Sequence, residues 1–382
     1  MSLFVLGTRA RKPSTRAIVS PQVVLLLRLP LGIRSRAVVA MVAAGCATMS
    51  FAAHAQRNGG PAGTIVTSNM NDNTASVIDA ASSRVLATLP AGTGPHEVAI
   101  SHDGRWAAVS NYGSREAPGN SITIIDVAHH HVARTLDLGE HRRPHGMAFL
   151  PGDTLIAVTS EVSQAILIVN AMSGAVVQVR PTGGRLTHML AVSADGQRMI
   201  TANIGSGTIS VLRPLGTDSA VTIAVAAAPE GIAISPDGRT AWAGSDRDSV
   251  VVVVDLDRAQ PVDTLRGFGL PYRLAITPDG RKAVITDPVR AEVRILNAAT
   301  RRPIATLHIA ADSLVSTAEV PGSPSPEGVT ISRDSRWAFV TLQGRNRVIA
   351  IDLDTIRIVT SAPTGTWSDG VGFSPVTSAT GG

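Results

Sequence analysis

The chain has 382 residues, of which 16% are charged and 3% aromatic, and it contains a single cysteine, Cys46. One cysteine excludes internal disulfides and multi-thiolate metal sites, and without Cys-x-x-Cys-His there is no attached c-type haem. The formal charge of +5 comes from residues 1–55, which hold seven basic side chains and no acid, leaving 34 − 7 = 27 basic against 29 acidic residues. Such a nearly neutral domain is not expected to bind nucleic acid.

Residues 1–55 have the features of an export leader. Arg34 and Arg36 precede an apolar run at 37–53, and Ala-His-Ala at 53–55 provides a small-residue cleavage site. We therefore predict cleavage at this site and a periplasmic or secreted mature protein that has no transmembrane helix.

Cys46 gives the leader a second interpretation. Ala-Ala-Gly-Cys at 43–46 resembles a bacterial lipobox, in which the cysteine is lipidated. Leucine is usual where Ala43 stands, so cleavage after Ala55 is the preferred hypothesis and a lipoprotein is the alternative.

A repeat of about 42 residues fills the rest of the chain. Pro-His-Glu-Val-Ala-Ile-Ser-His-Asp-Gly at 95–104 returns in similar form at 229–238 and 271–280, and four weaker copies accompany these three. The equivalent positions in the seven copies are His96, His145, His188, Glu230, Tyr272, Glu327 and Asp369, spaced by 49, 43, 42, 42, 55 and 42 residues. This spacing suits four short strands per copy.

The first full copy shows its strands directly. Apolar runs lie at 98–101, 106–111, 121–127 and 132–138, and the Asp103-Gly104 pair between the first two is a strong hairpin signal. Helix signals are nearly absent. We therefore predict an all-β fold, a seven-bladed β-propeller with four antiparallel strands in each blade.

The two ends of the repeat region complement each other. The last copy stops after one strand, at 371–374, whereas the chain before the first full copy supplies three strands, at 65–69, 75–80 and 85–89. We predict that N- and C-terminal strands together form the last blade and that the propeller is one domain spanning 64–376.

Three strand pairs carry a shared motif, in which a strand ends in Ser-Asn or Ala-Asn and leads into a second apolar strand. The motifs are Thr-Ser-Asn at 67–69, Val-Ser-Asn at 109–111 and Thr-Ala-Asn at 201–203. Through them the chain resembles the YVTN-repeat β-propeller family from about residue 64 to 375. The resemblance implies one fold but is compatible with several functions. Similar propellers include cytochrome d1-haem domains, lactonases, streptogramin lyases and simple binding proteins.

A candidate site follows from propeller geometry. The loop entering the innermost strand and the loop after the second strand open on one face, which we call the channel-mouth face. Equivalent repeat positions form a ring there. The residues expected to bind a ligand on this face are His96, His145, His188, Glu230, Arg273, Glu327 and Asp369.

Two further sets of polar residues are expected on the same face. The second-strand ends contribute Asn69, Asn111, Glu161, Asn203, Asp246, Asp287 and Gln343. Loop arginines offer forked donors to a carboxylate or phosphate, and they are Arg142, Arg143, Arg185, Arg273, Arg290, Arg345 and Arg347.

The three ring histidines fall on consecutive blades. Imidazole nitrogens with a carboxylate such as Glu230 suit zinc, copper, nickel or iron, so His96, His145 and His188 are candidate ligands of a transition metal. Two alternatives stay open: polar residues that line a water-filled channel, and acid–base chemistry by imidazole, which titrates near neutrality.

The sequence leaves three functions open and does not decide whether the chain is an enzyme. The first is an exported ligand-binding or interaction protein whose partner is a small anionic ligand or another exported protein. The second is a metal-assisted lyase or lactonase with His145 or His188 as general base. The third is a protein that handles copper or a haem-type cofactor. Hydrolase, nucleotide and zincin interpretations lack support, because none of their motifs occurs.

Overall fold

The computed structural model of the protein describes residues 59–310 and 320–378. The predicted leader, including Cys46, lies outside the described residues. Within them, 28 strands form seven four-stranded antiparallel sheets, and the one helix is a 3-10 turn at Gln343–Arg345. No helix of this part is long and apolar enough to span a membrane. The predicted all-β seven-bladed propeller is confirmed.

Each sheet is one blade, and its strands run outward from the central channel. The chain starts with β1 to β3, at Thr64–Asn69, Thr74–Asp79 and Val85–Pro90. Blade 1 contains β4 to β7, at Pro95–Ile100, Trp106–Gly113, Pro118–Asp126 and His131–Asp137. Blade 2 contains β8 to β11, at Pro144–Phe149, Leu155–Ser160, Ala165–Asn170 and Val176–Pro181. Blade 3 contains β12 to β15, at Thr187–Val192, Met199–Asn203, Thr208–Leu212 and Val221–Ala224.

The second half of the chain repeats this plan. Blade 4 contains β16 to β19, at Pro229–Ile234, Thr240–Ser245, Val250–Asp255 and Gln260–Leu265. Blade 5 contains β20 to β23, at Leu274–Ile276, Lys282–Asp287, Glu292–Asn297 and Pro303–His308. Blade 6 contains β24 to β27, at Pro326–Ile331, Trp337–Leu342, Arg347–Asp352 and Arg357–Pro363. The last strand is β28, at Ser368–Ser374.

Blade 7 joins the two ends of the repeat region. Its strand order is β28-β1-β2-β3, and β28 pairs antiparallel with β1, so that Val371 lies opposite Thr67 and Ser374 opposite Thr64. The Thr64 hydroxyl also donates a 2.7 Å hydrogen bond to the carbonyl of Val376. The predicted closure by both terminal segments is therefore confirmed.

Apolar clusters fill all seven interfaces between neighbouring blades. Strand β18 shows how its sequence produces this packing. Val252 and Val254 pack toward blade 3, whereas Val251 and Val253 pack toward blade 5. Alternate side chains of a strand point to opposite faces, and both faces are buried here, so the strand is apolar throughout. Each such valine contributes about 1.5–3 kcal/mol by burial.

A common turn connects the first two strands of five blades. A hydroxyl accepts from the backbone and donates to an aspartate two residues later, at 2.5–2.6 Å, in the pairs Ser101–Asp103, Ser193–Asp195, Ser235–Asp237, Thr277–Asp279 and Ser332–Asp334. In four of them a glycine with φ between +68° and +79° follows, a conformation that costs glycine little. These turns fix one end of the inner strand in the five blades, and the other end of that strand lies at the channel-mouth face.

Candidate functional site

The site lies where the inner strands begin. In β4, β8, β12, β16 and β24 the pairing register shifts between the first and fourth residues. Such a bulge frees residues from the ladder and re-aims their side chains. The second residue of each strand, which is a ring position of the repeat, is therefore released toward the channel.

Glycines set how closely the inner strands approach. Four blades have glycine directly after the ring position: Gly146, Gly231, Gly328 and Gly370. A Cβ atom would collide with the carbonyl oxygen of Tyr272 at Gly231 and with that of His96 at Gly370. Glycine therefore allows close packing of neighbouring backbones. The equivalent residues of the other three blades are Glu97, Met189 and Arg273.

The three predicted histidines form a stack at this point. The ring centres of His96 and His145 are 4.2 Å apart, and those of His145 and His188 are 3.5 Å apart. The structure thus brings the three side chains into direct contact on one side of the channel. At this separation no ion fits between the ring faces of His145 and His188.

Carboxylates hold the two outer rings of the stack. Nδ1 of His188 lies 2.5 Å from Glu161, and its Nε2 lies 2.6 Å from Glu230. Burial opposes the charge of this ring, but the two carboxylates prevail and raise the pKa of His188 to about 10. Nδ1 of His96 lies 2.5 Å from Asp369, which raises the pKa of His96 against the effect of burial.

The middle ring has a different environment. His145 is fully buried, and neither of its ring nitrogens has a hydrogen-bond partner among the described residues. Burial, followed by the neighbouring charges of His188 and His96, lowers the pKa of His145 well below its usual range. The stack therefore holds a neutral imidazole between two rings that favour the protonated form.

Arg273 crosses the channel and forms ion pairs with two carboxylates. Its Nη2 and Nε donate to one oxygen of Glu97, at 2.7 and 3.1 Å, and its Nη1 donates to Glu230 at 2.7 Å. The guanidinium also lies 4.1 Å from the ring centre of Tyr272. We expected Arg273 on the rim with the loop arginines, but it is buried, because acids on two other blades compensate its charge across the channel.

Tyr112 covers the histidine stack from the side. Its ring meets those of His96 and His145 edge-on, at 5.4 and 5.5 Å, and its hydroxyl donates a 2.7 Å hydrogen bond to Glu161. The guanidinium of Arg143 lies 4.7 Å from the Tyr112 ring centre. A rim arginine is therefore connected to the buried histidines through one aromatic ring.

Several predicted residues have structural contacts instead. Glu327 is buried and accepts a 2.6 Å hydrogen bond from Ser325. Three asparagines cross-link strands, because their amide groups donate to hydroxyls of the next strand; these are Asn69, Asn111 and Asn203. The side chains that meet in one cluster are His96, Glu97, Tyr112, His145, Glu161, His188, Glu230, Arg273 and Asp369.

The rim arginines differ in exposure. Arg142, Arg185 and Arg290 are exposed, whereas Arg143 and Arg347 are half-buried. Arg347 donates to Ser361 on its own blade. Two exposed arginines each stand three residues before a histidine of the stack in the sequence: Arg142 before His145, and Arg185 before His188.

One group of side chains within the described residues has the donor types and spacing of a metal site. The ligand atoms of His96, Glu97 and His145 lie within 4.8 Å of one another. This set differs from the predicted trio, because Glu97 takes the place of His188. Both ring nitrogens of His188 already contact carboxylates, so that ring offers no free nitrogen to an ion.

Comparison with known proteins agrees with the fold. The YNCE-like beta-propeller family matches residues 40–153. This segment is similar to YNCE-like propellers. No curated protein matches the chain. The YNCE-like match and the seven observed blades confirm the recognition of a repeat-built propeller.

Two solved structures share this architecture. Kuenenia stuttgartiensis hydrazine synthase is 20% identical, with a TM-score of 0.59 over 72% of this chain and 88% of that chain. A functionally unknown protein from Desulfotomaculum acetoxidans DSM 771 is 10% identical, with a TM-score of 0.67 over 82% of this chain and 99% of that chain. At these identities the likeness of this chain to both structures concerns the fold alone.

Sequence reasoning missed two members of the cluster, Glu97 and Tyr112. Each had a signal in the repeat register. Glu97 stands where four blades have glycine, so it places a large charged side chain at a position selected for close packing. Tyr112 is the repeat equivalent of Glu161, which had been placed on the channel-mouth face. Comparing the copies column by column would have identified both.

Proposed function

We propose that the mature protein is an exported binding propeller that takes up a small anionic ligand at its channel-mouth face. The observation that carries the proposal is His145, a fully buried ring whose two nitrogens have no hydrogen-bond partner within residues 59–310 and 320–378. Buried polar atoms are nearly always hydrogen-bonded, and an unpaired one costs about 1–3 kcal/mol. A ligand that bonds to this ring would remove that cost.

The side chains that remain for a ligand at the rim of the channel are cationic and suit an anion. Each acid beside the histidines already contacts a cationic side chain: Glu97 and Glu230 contact Arg273, Glu161 and Glu230 contact His188, and Asp369 contacts His96. The cations left for a ligand are rim arginines, whose forked donors suit carboxylates and phosphates. Arg143 lies nearest to the stack, over the ring of Tyr112.

Binding fits this geometry better than lyase or lactonase chemistry with His188 as general base. A general base needs a free nitrogen that can take a proton near the operating pH. Both nitrogens of His188 contact carboxylates, and its pKa is raised to about 10.

We expect inorganic phosphate or succinate to raise the melting temperature of the mature, chelator-treated protein. The double substitution Arg142→Gln and Arg143→Gln should weaken binding of the same anion about tenfold, since a hydrogen bond to a charged group is worth about 1.5–3 kcal/mol. Isothermal titration calorimetry measures both affinities. Arg258→Gln, an exposed change in the β18–β19 turn on the opposite face, is the matched control. Failure of both anions to bind, or an equal loss in the control, would contradict the proposal.

Export is tested separately. We expect the mature protein recovered from cells to begin at Gln56, because cleavage follows Ala55, and to fractionate outside the cytoplasm. Intact-mass spectrometry of the purified protein measures the start directly. A lipid-modified Cys46 at the new N-terminus would support the lipoprotein alternative, and an intact leader on cytoplasmic protein would exclude export.

A further inference from the structure

The donors of the His96–Glu97–His145 group come from two neighbouring inner strands. His96 and Glu97 are consecutive residues of β4, and the bulge there lets both side chains reach the channel. His145 is the ring residue of β8 in the next blade. Two imidazoles and one carboxylate form the ligand set of many zinc sites that keep a fourth position open.

Each of the three residues has an atom available to an ion. Neither nitrogen of His145 has a hydrogen-bond partner in the part of the chain that the structure describes. His96 directs Nδ1 to Asp369, so its Nε2 remains. Glu97 accepts from Arg273 through Oε1, and its Oε2 makes no hydrogen bond among the described residues. Each of the three residues therefore has one possible ligand atom that none of the contacts described above uses.

Neighbouring groups orient two of these ligands. Metal-binding histidines usually direct their second nitrogen to a carboxylate, and ligating carboxylates are hydrogen-bonded in turn. Here Asp369 is the carboxylate that contacts the second nitrogen of His96, and Arg273 is the donor that bonds to the carboxylate of Glu97. His188 does not belong to this set, because both of its nitrogens contact acids.

From these contacts we propose that His96, Glu97 and His145 bind a divalent transition-metal ion of the zinc class, with its open coordination position available to a ligand. This proposal rests on the proposed function for the identity of that ligand. The anion that binds at the channel-mouth face of the metal-free protein would, in the zinc-loaded protein, be the fourth ligand of the ion. Metal binding itself needs no anion, so the two proposals can fail separately.

The test measures zinc bound by the full mature chain, purified without a histidine tag. The turn before β7 and the first residue of β7 hold the consecutive histidines 129–131 on the opposite face, so all proteins carry His129→Gln and His131→Gln. After chelation, incubation with zinc and desalting, we expect one zinc per chain by mass spectrometry of the metal. His145→Phe and Glu97→Gln should each lower zinc affinity at least tenfold.

Folding controls keep the result interpretable. His145→Phe keeps an aromatic ring in the stack, and Glu97→Gln keeps an acceptor for Arg273; circular dichroism checks each fold. Cobalt added to the parent protein, which carries only His129→Gln and His131→Gln, should give the visible absorption of a tetrahedral site. This measurement does not depend on whether the site variants fold. A folded parent that retains no zinc and gives no such cobalt spectrum would overturn the site, as would equal zinc in parent and His145→Phe. Loss of anion binding with metal retained would refute only the anion proposal.

Discussion

Replacing Arg273 with methionine is expected to lower the free energy of unfolding by about 3–5 kcal/mol, the usual cost of removing one partner from a buried ion pair. The guanidinium is buried and bonded to Glu97 and Glu230. Methionine fills similar volume but leaves the Glu97 charge without its donors in a desolvated channel. Urea unfolding followed by circular dichroism measures the change.

Two companion variants test whether the unpaired buried charge of Glu97 causes the loss of stability. Arg290→Met removes an exposed arginine of the same face, and it should change stability by less than about 0.5 kcal/mol. Adding Glu97→Gln to Arg273→Met should recover part of the loss, because the unpaired charge is then gone. Without such recovery, lost packing and not the buried charge would be the main contribution of Arg273.

Removing residues 368–382 is expected to abolish cooperative unfolding. The deletion takes away β28, so β1 becomes an unpaired edge in the middle of blade 7. It also removes Val371 and Phe373 from the interface with blade 6, where Phe373 stacks on Phe339 at 4.4 Å. Burial of each large apolar side chain stabilises the fold by about 1.5–3 kcal/mol, and the opened ring exposes many further apolar side chains.

The matched deletion removes only residues 379–382 and keeps Val376, whose carbonyl accepts from Thr64. It should unfold at the same temperature as the full mature chain, with the same cooperativity. Differential scanning calorimetry compares the three proteins. A protein without β28 that melts like the full chain would refute closure by the two termini.

The fold could be predicted because its determinants are local and repeated. The Ser-x-Asp-Gly turn produces the same hairpin wherever it occurs, and the uninterrupted valines of β18 indicate a strand buried on both faces. Closure followed from counting strands at the two ends. Each inference used neighbouring residues or whole copies of the repeat, and none needed the orientation of a side chain.

The site could be predicted only in part, because a ring position does not specify what its side chain contacts. His96, His145 and His188 occupy equivalent positions, yet acids bind the outer two rings while the middle ring has no hydrogen-bond partner among the residues that the structure describes. Arg273 reaches Glu97 on a distant blade. Such contacts across a channel depend on side-chain length and on the close packing at the glycines, neither of which follows from repeat spacing.

Blade 7 also determines when the protein can finish folding. Thr64 and Val376 are bonded although they are 312 residues apart, whereas blades 1 to 6 use neighbouring sequence only. Contacts this distant are slow to form, since a long loop must close before they contribute. The ring therefore stays open until β28 has been synthesised. If the chain crosses a membrane in an unfolded state, it can close the ring only after β28 has emerged on the far side.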